Sequence, residues 1–187
     1  GEVHIAVSHD GEHCHILNGR LLRSKRQYQN KLKARLSAII DTKKKGSKKW
    51  KKAVKSKQKQ LRKLNAQIRD VLHKQTTHLV STLYSDGVQT LVIGDIRNMR
   101  QDLDCGRKAN QKLHQMLFGR ARFFLSYKAQ RLGMAVELQD EAYTTQECPA
   151  CGMLKKSKPR GRRYACKCGF RYHRDGVGGF NIRKKYL

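Results

Sequence analysis

The spacing of apolar positions changes period several times along this chain. The opening GEVHIAVSHDG reads as an extended strand ending in a turn at Asp10-Gly11, and EHCHILNGR continues as a second strand of alternating polarity. Asp-Gly between two such runs is strong hairpin chemistry. The period then lengthens, with Leu32, Leu36, Ile39 and Ile40, followed by Val54, Leu61, Leu64, Ile68, Val71 and Leu72, at helical spacing. These positions predict two helices in a hairpin, joined over Lys43 to Lys52 where Gly46-Ser47 breaks the pattern. Helical spacing continues through HLVSTLYSDG to Gly87, and VQTLVIGDI follows as a short, continuous apolar run suited to a buried strand. Leu113, Met116, Leu117, Phe123, Phe124 and Tyr127 predict a core-facing helix that stops at Gly133, with Met116 and both phenylalanines in the core. MAVELQDEAYTT predicts one more strand, Met134 to Leu138. This mixture of strands and helices makes the chain α/β.

Charge changes the picture more than size does. At 187 residues and 38% hydrophobic content the chain can bury one moderate core plus a small metal-held unit. Lys and Arg number 42 against 14 Asp and Glu, a formal charge of +28, which calls for a polyanionic partner, DNA or RNA before any other. Nothing resembling a signal peptide, a membrane-length apolar run or a disulfide framework is present, so no membrane partner and a reducing cytoplasm are expected. No small-molecule substrate is suggested. Between Arg20 and Lys74 the only acids are Asp41 and Asp70. Like charges this dense repel unless a phosphate backbone neutralises them, which nominates Lys43, Lys44, Lys45, Lys48, Lys49, Lys51 and Lys52 as nucleic-acid contacts. Such contacts position a strand without reading its sequence. Trp50 suits either base stacking or packing.

Four of the six cysteines stand near the C-terminus, Cys148-x-x-Cys151 and Cys166-x-Cys168. Each knuckle aims two thiolates at one point, and two knuckles complete a closed tetrahedral site for a structural Zn2+. The second knuckle is tighter than the usual C-x-x-C, and four free or disulfide-bonded cysteines are the alternative. Cys14 and Cys105 belong to no motif.

After the second knuckle comes CGFRYHRDGVGGFNI. This stretch resembles the end of the TnpB family of transposon-encoded proteins, related to type V CRISPR nucleases. The motif tail matches at Asn181-Ile182, and only loosely from Gly176 to Gly179. The resemblance implies an RNase H-like (RuvC) fold: a mixed sheet with flanking helices, a basic helical hairpin inserted at about 20–75, and an inserted zinc ribbon. In these terms residues 1–147 are the nuclease domain, 148–168 the ribbon and 169–187 the final nuclease motif. It further implies one or two catalytic Mg2+ ions held by three carboxylates, a guide RNA, a DNA target cleaved by phosphodiester hydrolysis, and a prokaryotic, nucleoid-associated setting. Asp175 takes the role of the last carboxylate. The first would precede the chain, because Gly1 stands where the Gly of the D-x-G motif belongs; Asp10 reads as a turn residue. The second should be a Glu, yet the sequence has Gly94-Asp95. Either the nuclease is inactive or another carboxylate has moved in. Asp95 is one candidate, although strand alternation sends it to the face opposite residue 94. Glu141 is the better one, because DEAYTTQEC resembles a family variant with a displaced Glu and the ribbon is an excursion that must return near its start. Asp140 points the other way by alternation. Three functions are therefore open: an RNA-guided DNA endonuclease, a nuclease-inactive relative acting as repressor or targeting factor, and a plain zinc-ribbon nucleic-acid-binding protein, which leaves Asp175 unexplained.

Overall fold

The computed structural model describes residues 4–95, 106, 110, 117–155 and 161–187. Strands β1 (His4–His9) and β2 (Cys14–Asn18) form the expected antiparallel hairpin. Asp10 closes it, its Oδ1 accepting the N–H groups of Glu12 at 2.8 Å and His13 at 2.6 Å. The register shifts between His4 and Ala6, a bulge of the kind that re-aims side chains.

Helix α1 (Arg20–Asp41) leads through a short turn into α2 (Lys48–Ser85), where Ser47 caps the new helix by accepting the Trp50 N–H. At 38 residues α2 is roughly 57 Å long. Its buried residues, Ile68, Leu72, Thr76, Leu79, Val80 and Leu83, all lie in the second half. Each apolar one contributes roughly 1.5–3 kcal/mol by leaving water. The first half lies along α1, with Val54, Leu61 and Leu64 half-buried and polar contacts beside them. Gln29 is buried there, donating to Asn65 Oδ1 at 2.7 Å and accepting from Arg26, while Lys57 reaches Ser37 Oγ at 2.6 Å. Lys44, Lys45, Lys48, Lys49, Lys51 and Lys52 are exposed, Lys43 and Trp50 half-buried.

Strand β3 (Thr90–Asp95) pairs in parallel with β4 (Ala135–Asp140), Gly94 opposite Gln139 and Asp95 opposite Asp140. Helix α3 (Phe118–Arg131) connects into β4 and packs on α2. Leu17, Leu79, Val80, Leu83, Leu91, Leu125, Ala129 and Met134 form the main core; Leu22, Ile68, Leu72, Ala121 and Phe124 form its extension under the helices. One expectation about this helix fails: Phe123 is 63% exposed while Phe124 is 7% exposed, because adjacent helical positions point about 100° apart and only one can face α2. Leu113, Met116 and Cys105 lie outside the described residues. A single mixed sheet is also not seen among the described residues. β1 pairs with β2 and β3 with β4, but β1 and β3 are not hydrogen-bonded to each other, and both line a cavity of about 520 Å³.

Strands β5 (Arg163–Ala165) and β6 (Arg171–His173) make a small antiparallel pair in the cysteine-rich segment, and β6 runs directly into α4 (Arg174–Tyr186). Cys148, Tyr164 and Val177 form a third, minor core that joins this segment to α4.

Candidate metal centres and nucleic-acid surface

Helix α4 carries the most specific sequence motif, and its small residues let it press into the fold. A Cβ at Gly176 would come within 2.6 Å of the Tyr172 ring, so only glycine fits where the helix leaves β6. Asn181 is fully buried and donates to Thr144 O at 2.7 Å and Glu147 O at 2.9 Å; Lys184 adds a bond to Glu147 and Lys185 one to the carbonyl of Ala142. The loop 141–147, which passes through a left-handed Tyr143 at φ 62°, is thereby clamped onto the same helix that presents Asp175. In the sequence Asn181 stands out only as a motif match.

That clamp places Glu141. A Cβ built on Gly94 would lie 2.5 Å from Glu141 Cδ and would overlap Oε1, so the Glu141 carboxylate fills the space a side chain at 94 would need. Glu141, Gly94 and Asp175 line one cavity, the same one bordered by β1 and β3. Burial pushes the Glu141 carboxyl above its ordinary range, with the Asp140 and Asp95 carboxylates acting in the same direction. Asp95 does not line the cavity, and Arg122 approaches its Oδ1 at 3.3 Å. Asp140 is exposed and caps its own turn by accepting the Ala142 N–H at 3.1 Å.

Asp175 lies in the first turn of α4, where the helix dipole favours a carboxylate. Its Oδ2 is 2.9 Å from His4 Nδ1 and its Oδ1 is 3.5 Å from the Arg174 guanidinium. Burial works to raise this carboxyl, but surrounding positive charge, including the His4 hydrogen bond and Arg174, holds it below the usual range. His4 and Asp175 are 171 positions apart, and no sequence signal joins them.

The four motif cysteines converge. Cys148 Sγ lies 3.7 Å from Cys168 Sγ and Cys151 Sγ lies 3.6 Å from Cys166 Sγ, and all four sulfurs are within 4.8 Å of one another. Four sulfurs at about 2.3 Å from one zinc would sit about 3.8 Å apart, so the cluster fits that ion. Burial opposes ionisation of Cys148, yet backbone N–H groups of Cys151 and Ala150 and the neighbouring thiols bring it down to about 6. The Met153 N–H favours a thiolate at Cys151, but the crowd of Cys168, Cys148 and Cys166 pushes that group up to about 12. Thiols this close cannot all ionise without a cation among them. No helix among the described residues is long and apolar enough to cross a membrane.

Two family models cover most of the chain: one described as "Probable transposase" matches residues 3–100, and one described as "Cas12f1-like, TNB domain" matches residues 118–182. A TnpB-like protein of Methanocaldococcus jannaschii is 33% identical over 121 residues, covering 63% of this chain and 42% of its own. A TnpB-like protein of Acidianus two-tailed virus is 30% identical over 124 residues, 66% of this chain and 26% of its own. The chain thus spans less than half the length of these relatives. Among solved structures, a CRISPR-Cas12f ternary complex gives a TM-score of 0.69 at 16% identity, over 95% of this chain and 35% of that one. A Cas12f1 complex with single-guide RNA and target DNA gives 0.62 at 15% identity, over 95% and 45%. The α/β fold is therefore that of the Cas12f proteins, and with the transposase model matching more than half its length the chain belongs to the TnpB family.

Proposed function

We propose that this chain is the C-terminal nuclease portion of an RNA-guided DNA endonuclease, with Glu141 and Asp175 as two of its metal-binding carboxylates. The observation that carries this reading is the interchange at β3: position 94 has no side chain, and the carboxylate of Glu141 stands in the space a side chain there would enter, on the cavity that Asp175 also lines. The two carboxylates are hard oxygen donors, as Mg2+ requires, and they face open space for a phosphate. A pair of Mg2+ ions there would activate water and stabilise the leaving oxygen. Arg122, on the cavity wall, holds Asp95 away as an ion-pair partner.

The ribbon, residues 148–168 with Zn2+ on Cys148, Cys151, Cys166 and Cys168, braces the start of α4 through the Cys148, Tyr164 and Val177 contact. The exposed lysines at the turn between α1 and α2 contact the phosphate backbone of guide RNA or target DNA. Partners in the solved Cas12f1 complex, single-guide RNA and target DNA, agree in kind with this charge.

A nuclease-inactive targeting factor is the second reading. It draws on the missing Glu at 94 and on Asp175, whose two oxygens are already approached by His4 and Arg174. Cleavage by the full-length protein with its guide separates the two. Glu141→Gln and Asp175→Asn should each abolish Mg2+-dependent cleavage with DNA affinity retained. A parent protein that binds its target without cutting it establishes the second reading, and a Glu141→Gln protein that cuts normally removes Glu141 from the centre.

A further inference from the structure

Three side chains from three elements meet beside the carboxylate pair: His4 at the start of β1, His173 at the end of β6 and Asp175 in the first turn of α4. One ring nitrogen from each histidine and one Asp175 oxygen lie within 4.8 Å of one another. We propose that these residues form a second metal site, one that takes a zinc-class divalent ion through two imidazoles and one carboxylate.

The spacing is right for shared coordination. Two ligands each about 2.0–2.1 Å from one ion are separated by about 2.9–3.4 Å, and His4 Nδ1 and Asp175 Oδ2 are 2.9 Å apart. A hydrogen bond has the same length, so that pair alone does not decide between them. His173 does. Its Nδ1 is buried with no hydrogen-bond partner among the described residues, although the ring lies against His4 with centroids 5.2 Å apart. Leaving a buried polar nitrogen unsatisfied is costly, and an ion accepting that lone pair would recover the cost. The side chain has no competing duty. His173 stands at the N-cap of α4 with extended backbone, and its imidazole makes no capping bond.

Donor type then sets the ion. Two imidazole nitrogens are poor ligands for Mg2+ and good ones for Zn2+, Co2+ or Ni2+. With His4 9% exposed and the Asp175 side chain 13%, the ligands are already stripped of most of their water. Three ligands leave coordination positions free, as they are not in the closed four-sulfur site. The site shares Asp175 with the proposed nuclease centre, yet it goes beyond that reading, because ion binding here requires no cleavage.

The test is ion stoichiometry in the full-length protein. After treatment with a chelator mild enough to leave the ribbon zinc, the protein is equilibrated with micromolar Zn2+ in large excess Mg2+ and analysed for zinc. Two zinc ions per chain are expected, falling to one in His173→Asn and in His4→Asn, and remaining two in His78→Asn, which alters an exposed histidine on α2. Retained ribbon zinc and helical circular dichroism certify that the variants are folded. Should both unfold, Co2+ added to the parent decides: absorption typical of nitrogen and oxygen ligands supports the site, while thiolate charge-transfer bands or no uptake overturn it. One zinc in the parent, or two in a folded His173→Asn protein, also overturns it, and none of these readouts depends on whether DNA is cut.

Discussion

The interchange between Gly94 and Glu141 can be broken from either side. In Gly94→Ala the new methyl carbon would overlap Glu141 Oε1 and lie 2.5 Å from Cδ, against an ordinary contact near 3.5 Å, so the carboxylate must retreat by at least about 1 Å. Misplacing a catalytic group by about 1 Å costs about 10²-fold in rate, equivalent to roughly 2.7 kcal/mol of barrier. Fold stability should suffer less, because the Glu141 carboxyl borders the cavity and has room to swing. The assay is single-turnover cleavage of a labelled duplex by the guide-loaded, full-length protein, at saturating protein so that binding does not enter. Gly94→Ala should cleave about 100-fold more slowly with unchanged DNA affinity. Glu141→Gly should be at least as impaired, and the double variant Gly94→Glu with Glu141→Gly should regain a substantial part of the rate by returning the carboxylate to β3. A Gly94→Ala protein that cuts at the parent rate refutes the steric argument, and a double variant no better than Glu141→Gly refutes the equivalence of the two positions.

Asn181→Ala removes two buried hydrogen bonds and leaves the carbonyls of Thr144 and Glu147 unsatisfied, so urea unfolding should show a loss of about 2–4 kcal/mol. Zinc should survive mild chelation at one ion per chain, and Cys148→Ser should release it, because a three-thiolate remnant forfeits most of the folding free energy the ion supplies; mass spectrometry under native conditions reads this directly. Replacing Lys44, Lys45, Lys48 and Lys49 by Gln should flatten the dependence of log affinity on log salt by up to about 0.9 for each duplex phosphate that is no longer neutralised, as measured by fluorescence anisotropy. Glu141→Gln should stabilise the apo fold at neutral pH, since a carboxyl whose folded pKa is raised holds its proton more tightly than the unfolded chain does. The native Glu therefore disfavours folding above its raised pKa, and the gain from Gln should fade as pH falls through that value toward the ordinary 4.5, visible in melting temperatures across pH.

Much of this arrangement is legible in local pattern. The Asp10-Gly11 hairpin, the break at Gly46-Ser47, the strand before Gly94 and the stop at Gly133 each follow from short-range chemistry, and they stand where the sequence places them. Cysteine spacing alone assembles the ribbon's four sulfurs. Contacts between distant segments are harder. The hydrophobic period predicts the stripe on which Leu32, Leu36, Leu61 and Leu64 are half-buried, but not the bonds of Gln29, Asn65 and Lys57 beside it, whose polar side chains look solvated in sequence. Phe123 and Phe124 are chemically identical neighbours, and only the rotation of α3 against α2 separates exposed from buried. His4 gives no local hint of Asp175, because a bulge in β1 and the end of the ribbon bring them together.

The long helix also has a metric consequence. Residues 48–67 of α2, the part without buried positions, extend for about 30 Å and end at the lysine-rich turn. The same helix runs on to Leu79 and Leu83 on the cavity wall, so the charged tip and the cavity are about 47–53 Å apart along its axis, the length of about 14–15 base-pair steps at 3.4 Å each. A rigid spacer of that size works as a ruler. A duplex held at its tip and in the cavity at once would be gripped at points well over one helical turn apart.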